Sequence, residues 1–444
     1  MCLSPIAEGQ CEGVASRMAA IIASRLEARE LALQRSPRLA TIPPLVRGVR
    51  TNAKAAMNVV LVHDWLTGMR GGEKCLEVLC RAFPDARLLT LLHRPGSTSS
   101  AIERMRITTS FLQNVPGNYR YLLPLMPRAI RSLHVPPETD LVVSLSHAVA
   151  KGVRVPAGVP HVCFCFTPMR YAWHLREQYF GRGRSWRRPL AAARDLLLDR
   201  LRDWDRTTGE QIEHYVAISR TVADRIVECY GRPSTVIYPP VDTGFYTPAS
   251  VAREDFYLVV SALVPYKRIE LAIEACRRLG RKLLIVGSGP ERPRLERCAG
   301  PETTFLGWQD NASIRTLLRT CRALLFTPLE DFGIVPLEAQ ACGAPVIALG
   351  AGGATETIIP ADERRTGTGL FFAEQTAESL VEAIEWFEGH ADRISPDLAR
   401  RQAERFAVAR FEQELVDYLR NVVADRAASR FSQQAAQLPL RQAG

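Results

Sequence analysis

Glu330 and Glu338 stand eight positions apart in "TPLEDFGIVPLEAQACG", where an apolar run, "RALLFT", gives way to an acidic turn and a helix-like stretch. The first N–H groups of such a helix are free and carry the positive end of its dipole, which suits an anion such as a diphosphate. Gly333 lets the backbone come close to that anion. Glu338, more than a turn into the helix, can reach vicinal hydroxyls, and Glu330, in the turn, can reach a different hydroxylated group. A diphosphate with a sugar on each side, ribose and hexose, uses both carboxylates. An exposed acidic turn followed by a helix-surface glutamate is the plain alternative, and spacing alone leaves it open.

Two cations fall at a comparable place. "SALVPYKRIELAIEA" follows an apolar strand, and Lys267 and Arg268 sit just past its end, where they can neutralise a leaving diphosphate. Cations are disfavoured at a helix amino end, which argues against a merely solvated helix start. "IVGSGPERPRLE" imitates a dinucleotide fingerprint, but Arg292 holds the third glycine position, so a nicotinamide site is poorly supported. In the first half, "GMRGGEK" is a glycine-rich turn in which Gly71 and Gly72 leave a helix start open to a ligand. His147 follows the strand "DLVVSLS", and Arg170, Tyr171 and Trp173 follow "HVCFCF". A lone histidine is as readily a packing residue, and His63 and Asp64 share its strand-end position.

These residues need strands that end at one edge. The chain alternates apolar strands with helical stretches twice over, at 58–62, 140–146, 161–166 and 214–219, then at 257–263, 282–287, 303–307, 322–327, 345–349 and 369–372. That rhythm predicts parallel sheets, and two runs of it predict an α/β architecture of two doubly wound, Rossmann-like domains facing a cleft. Ligands of such sheets bind beyond the carboxyl ends of the strands. The expected boundaries are an N-terminal extension over 1–56, a first domain over 57–242 and a second over 243–403. An amphipathic helix over 404–424 and a tail over 425–444 follow. "STVIYPPVD" reads as the linker, its double proline breaking the pattern.

At 444 residues the chain has room for two domains, and 47% hydrophobic with 23% charged residues is the composition of a folded enzyme. No apolar run reaches the length that spans a bilayer, and the amino terminus lacks the apolar core of a secretory signal. The eleven cysteines form no CxxC pair and no zinc spacing; they read as buried apolar residues in a reducing compartment. The formal charge of +10 is concentrated in 175–206, where Arg182, Arg184, Arg187 and Arg188 mix with Phe180, Trp186 and Leu190. An anionic membrane surface and a solvated face both fit that segment; nucleic acid rests on charge alone, without a recognition motif.

Taken together, "EDFGIVPLE", "EAQACGAPVIALGAGGATE", "YKR", "LLIVGSGPE" and "FLGW" resemble, in order, the retaining glycosyltransferases of family 4, which have the GT-B fold. The resemblance covers roughly 57–424. "HDWLTGMRGGEK", "SHAVAKGV", "TPMRYAW" and "YPPVD" are similar to the mannosyltransferase branch that builds O-antigen and exopolysaccharide repeats. It implies that Glu338 holds the donor ribose and that Glu330 lies by the donor sugar. Lys267 then binds the diphosphate, with Phe332, Gly333, Ile334 and Val335 on the donor side. The family's first-domain glycine loop falls on Gly71 and Gly72, and its histidine on His147. The family arginine paired with that lysine falls at Ala262, a departure for which Arg268 is the nearest substitute. The implied reaction moves a hexose, mannose from GDP-mannose, to a hydroxyl of a lipid-linked glycan with retained configuration and no metal cofactor. The implied place is the cytoplasmic face of the plasma membrane. A sugar-nucleotide epimerase or phosphorylase on the same fold, or a non-catalytic sugar-nucleotide-binding subunit, is the alternative.

Overall fold

The structure is a computed structural model that describes residues 57–173 and 188–437. The leader over 1–56 and the core of the basic 175–206 segment, including Phe180, Arg182, Arg184, Trp186 and Arg187, lie outside the described residues.

The first half builds a seven-stranded sheet. Its strands are β1 (Val59–His63), β2 (Arg87–Thr90), β3 (Arg106–Thr109), β4 (Leu141–Ser146), β5 (His161–Cys165), β6 (His214–Ala217) and β7 (Thr235–Val236). They are parallel throughout, in the order β3-β2-β1-β4-β5-β6-β7. The helices of this half are α1 (Gly71–Ala82), α2 (Ser100–Glu103), α3 (Met126–Arg131), α4 (Arg188–Glu210) and α5 (Arg220–Tyr230).

The second half forms a six-stranded parallel sheet in the order β10-β9-β8-β11-β12-β13. It comprises β8 (Tyr257–Val260), β9 (Leu283–Val286), β10 (Thr303–Gly307), β11 (Ala323–Phe326), β12 (Val346–Leu349) and β13 (Gly369–Phe372). Its helices are α6 (Ile269–Leu279), α7 (Arg292–Cys298), α8 (Asn311–Thr320), α9 (Ile334–Ala341), α10 (Ala354–Thr357), α11 (Ala377–Gly389), α12 (Pro396–Glu404) and α13 (Val408–Gln437). Each central strand is first joined outward on one side and then on the other, so β1 and β8 stand where strand order reverses.

Both faces of each sheet are covered, as parallel sheets require. Along β1, Val59 and Leu61 enter one apolar cluster and Val60 and Val62 the opposite one, the period of two expected of a strand. Tyr257 and Leu258 divide in the same way along β8. Cys163 and Cys165 lie buried together in β5.

β2, β3 and β7 are additions to the strands read from the sequence, β7 lying inside the stretch read as the linker. β2 opens on an exposed arginine, and β3, "RITT", carries no apolar run. The last helix runs Val408–Gln437, with α12 before it, where the sequence suggested one helix over 404–424. α13 crosses back to the first half: Phe411, Leu415 and Leu419, all fully buried, belong to the cluster built on β1, β4 and β5. No helix among the described residues is long and apolar enough to cross a membrane.

Candidate active site

The carboxyl ends of the two sheets face each other, and the chemistry-bearing residues gather there. β11 delivers Glu330 and Asp331, and Gly333 caps α9 with φ 91, a left-handed conformation that glycine adopts without steric cost. α9 then carries Glu338 a turn further on, buried apart from a small exposed edge.

Each of the two glutamates holds a lysine. Lys267, in the 3₁₀ turn after β8, pairs with Glu330, both side chains largely buried. The turn is fixed by Thr327, whose hydroxyl donates to the Lys267 carbonyl at 2.8 Å. Glu338 pairs with Lys74 of α1, on the other domain, Nζ to Oε1 at 2.6 Å. Tyr246 is buried beside them and hydrogen-bonds Glu338; burial and then the neighbouring carboxylate push its phenol pKa up. α1 reaches across because Gly71 begins it: a Cβ there would stand 2.8 Å from Ile334 Cδ1 of α9. Gly72 faces Phe166 and His63.

Asp331 is the anchor between the domains. Arg170, from the loop after β5, donates to Oδ2 through Nε at 3.0 Å and Nη2 at 2.5 Å, while Arg225 of α5 pairs with Oδ1. Burial alone would raise the Asp331 pKa, but the two guanidinium groups hold it lowered. Arg170 also lies 5.9 Å over the Tyr266 ring, against which Lys267 sits at 5.4 Å. Ser219, the N-cap of α5, donates to the Asp331 carbonyl at 2.5 Å. Glu356 of α10 completes the joint by accepting from the Arg220 and Thr221 amides at 2.8 and 3.1 Å and from the Tyr238 hydroxyl at 3.1 Å. A carboxylate of one domain therefore caps a helix of the other.

In the first sheet, Asp64 follows β1 and is fully buried. Its two oxygens accept the amides of His147, Ala148, Val149 and Ala150 at 2.7–3.0 Å. Oδ2 also meets His147 Nδ1 at 3.0 Å. Burial would raise the Asp64 pKa, but the charge and hydrogen bonds of His147 depress it. Where the ring is neutral, Asp64 accepts from Nδ1–H and the lone pair lies on His147 Nε2. The ring rests edge-on against Trp65, centroids 4.6 Å apart. His63, the sequence neighbour of Asp64, is buried with its pKa lowered by desolvation, and its Nδ1 meets the Trp65 carbonyl at 3.0 Å.

The structure thus brings Lys267 to Glu330 and the Gly71–Gly72 helix start to Ile334. Arg268 is turned elsewhere, with Nε donating to Glu270 of its own helix at 2.8 Å. The Phe332 side chain is buried between Tyr238 and Phe406 and does a packing job. Ile334 and Val335 are partly exposed at the start of α9. Lys74, Asp331, Arg225, Tyr246 and Glu356 were not singled out from the sequence. Lys74 does end the glycine-rich motif "RGGEK", and Asp331 follows Glu330 directly.

Both halves of the chain match known protein-family models. Residues 69–245 match the model of "Glycosyltransferase Family 4", and residues 247–405 match that of "Glycosyl transferases group 1". Each half of the chain therefore matches a glycosyltransferase model, and its fold is that of the GT-B glycosyltransferases. It is similar to a D-inositol 3-phosphate glycosyltransferase of Mycobacteroides abscessus, 29% identical over 39% of this chain and 44% of that protein. It is also similar to a GDP-mannose-dependent monoacylated alpha-(1-6)-phosphatidylinositol monomannoside mannosyltransferase of Corynebacterium glutamicum, 31% identical over 40% of this chain and 54% of that protein. The matches span about half the length of these curated relatives. Among solved structures, a sucrose-phosphate synthase of Thermosynechococcus elongatus superposes with a TM-score of 0.65 at 16% identity, covering 83% of this chain and 100% of that one. HepE of Anabaena, solved with UDP and glucose, superposes with a TM-score of 0.61 at 20% identity, covering 81% and 98%. These two share the fold.

Proposed function

We propose that the protein is a retaining hexosyltransferase that moves mannose from GDP-mannose to a hydroxyl of a lipid-linked glycan, at the cytoplasmic face of the plasma membrane, in cell-surface polysaccharide synthesis. The observation that carries the reading is the pairing of Glu330 and Glu338 each with a lysine, one lysine from each domain, at the facing ends of two parallel sheets. The name of the Corynebacterium relative supports the choice of mannose and GDP.

The residues divide the donor between them. Glu338 binds the ribose hydroxyls in place of Lys74, and the N–H groups opening α9 meet the diphosphate. Lys267 exchanges Glu330 for the phosphate oxygens, and Glu330 turns to the hexose. As the bond from the anomeric carbon to the phosphate oxygen breaks, Lys267 and the helix N–H groups stabilise the charge left on the diphosphate, so the reading needs no metal cofactor. The acceptor oxygen bonds to the same face of the anomeric carbon, and its proton passes to the departing phosphate oxygen. His147, held by Asp64 with Nε2 as acceptor, orients the hydroxyl that attacks.

The test is a thermal-shift panel of nucleotide sugars followed by a transfer assay in chelator with a lipid-linked glycan. A donor at about 100 times its dissociation constant stabilises by roughly 2.7 kcal/mol. The reading expects acceptor-dependent release of GDP and an α-linked product from the α-linked donor. Release of nucleotide and an altered sugar without acceptor assigns an epimerase instead, and binding without turnover assigns a non-catalytic subunit.

A further inference from the structure

Two adjoining cavities open on the first domain away from the donor cleft. One, of about 410 Å³, lies between α3 and α4 and is lined by Pro127, Arg128, Arg131, Ser132, Arg154 and Trp204. The other, of about 540 Å³, shares Arg131 and Arg154 and continues over Thr208, the Pro156–Val159 loop and Arg426 of α13. His161 opens β5, and Gln211, Ile212 and Glu213 lead into β6, so this cavity sits at the amino ends of strands whose carboxyl ends serve the donor cleft.

Among the described residues, none of Arg128, Arg131, Arg154 and Arg426 makes an ion pair. The Nε of Arg426 is enclosed without a hydrogen-bond partner, and so are the hydroxyl of Thr208, 6% exposed, and the indole N–H of Trp204. Lys151, on the cavity wall, is by contrast neutralised by Asp205 at 2.5 Å. Glu213 contributes an acidic side chain to the rim. Unpaired guanidinium groups held together repel one another, and an oxyanion between them relieves that repulsion while filling their planar donor forks. Leu125, just before α3, and Leu196 and Leu197 on α4 are large apolar side chains left exposed on the elements that frame the site.

We infer that this double cavity binds a phosphate group, carried either by an anionic lipid headgroup or by a soluble phosphate compound. The site is separate from the donor cleft and stands whether or not the protein transfers mannose.

The test uses the full chain and two probes. One arm sediments it with phosphatidylcholine vesicles, with and without phosphatidylglycerol. The other titrates inorganic pyrophosphate into the Lys267→Ala variant, whose donor-side cation is gone. Arg131→Gln with Arg154→Gln, both at exposed positions, removes two of the four charges. At about fivefold per cation near an anionic surface, binding falls roughly 25-fold. A loss confined to the anionic vesicles assigns a lipid headgroup, and a loss of pyrophosphate affinity assigns a soluble phosphate compound. A parent that binds neither probe overturns the inference. So does a double variant that melts like the parent and binds both probes unchanged.

Discussion

Lys74 and Glu338 lie 264 positions apart in the chain and 2.6 Å apart in space, one on each side of the cleft. The contact joins the domains through the carboxylate that the proposed function gives to the donor ribose, and on that proposal donor binding and the interdomain contact compete for one group. Lys74→Met should lower the melting temperature of the ligand-free protein by removing the partner of a mostly buried carboxylate, a loss of about 1 kcal/mol given the partial exposure of the lysine. The same change should enlarge the stabilisation produced by a saturating donor, because no ion pair has to be broken first. Differential scanning fluorimetry with and without GDP-mannose reads both. An unaltered donor shift would show that the pair survives donor binding.

The two ends of the donor site should separate in kinetics. Glu338→Ala should raise the donor KM and leave kcat nearly intact, since ribose hydroxyls are held alike in ground and transition states. Lys267→Ala should lower kcat by about a hundredfold, the usual effect of losing one donor to a developing anion, on the order of 3 kcal/mol. Glu330→Ala should resemble it, because in the proposed complex its carboxylate contacts the sugar that reacts. Steady-state rates against donor concentration check the split. Loss of turnover at saturating donor in Glu338→Ala would reverse the assignment.

Glu356 caps α5 from the opposite domain, so its removal should be visible at two amides. In Glu356→Ala, the Arg220 and Thr221 N–H groups should exchange with deuterium faster, by about fivefold for a cap worth roughly 1 kcal/mol. Hydrogen-exchange mass spectrometry on a peptide covering 218–224 measures it. Protection that persists would mean that Ser219 alone secures the helix start.

His161 gives the fold an acid-sensitive component. It is half-buried, with Nε2 2.8 Å from the Ser144 hydroxyl, and desolvation brings its pKa down from 6.5 to about 4. A lowered histidine pKa means that the unfolded chain takes up the proton first. Its stabilisation is therefore full above pH 6.5 and is lost as the pH falls toward 4, by up to about 3 kcal/mol. Melting temperature against pH should slope downward across that interval, and His161→Gln should flatten the slope. A parallel slope in the variant would assign the loss to other groups.

Much of the architecture was legible because strand periodicity and strand-end chemistry are local signals. The Glu330–Glu338 spacing marked the helix start after β11, and Lys267 fell beside it because both follow strands of one sheet. β2 and β3 escaped notice since "RLLT" and "RITT" are short and polar at their edges. Lys74 escaped because its partner lies in the other domain, and no local pattern encodes a contact of that kind. Phe332 sits in a donor-side motif, yet stacking on Tyr238 decides its side chain, and that too is long-range.

The return of α13 to the first domain sets an order of events during synthesis. Phe411 stacks edge-on against Phe164 of β5, with Leu415 and Leu419 beside it, so the half translated first lacks one wall until the last described helix has emerged. A ribosome-bound chain that has completed only β1 to β7 presents the Phe164 face to water or to a chaperone. Severing the polypeptide at the proline linker would therefore not free two independent folding units, and a stop codon ahead of position 408 would injure the amino-terminal half from a distance.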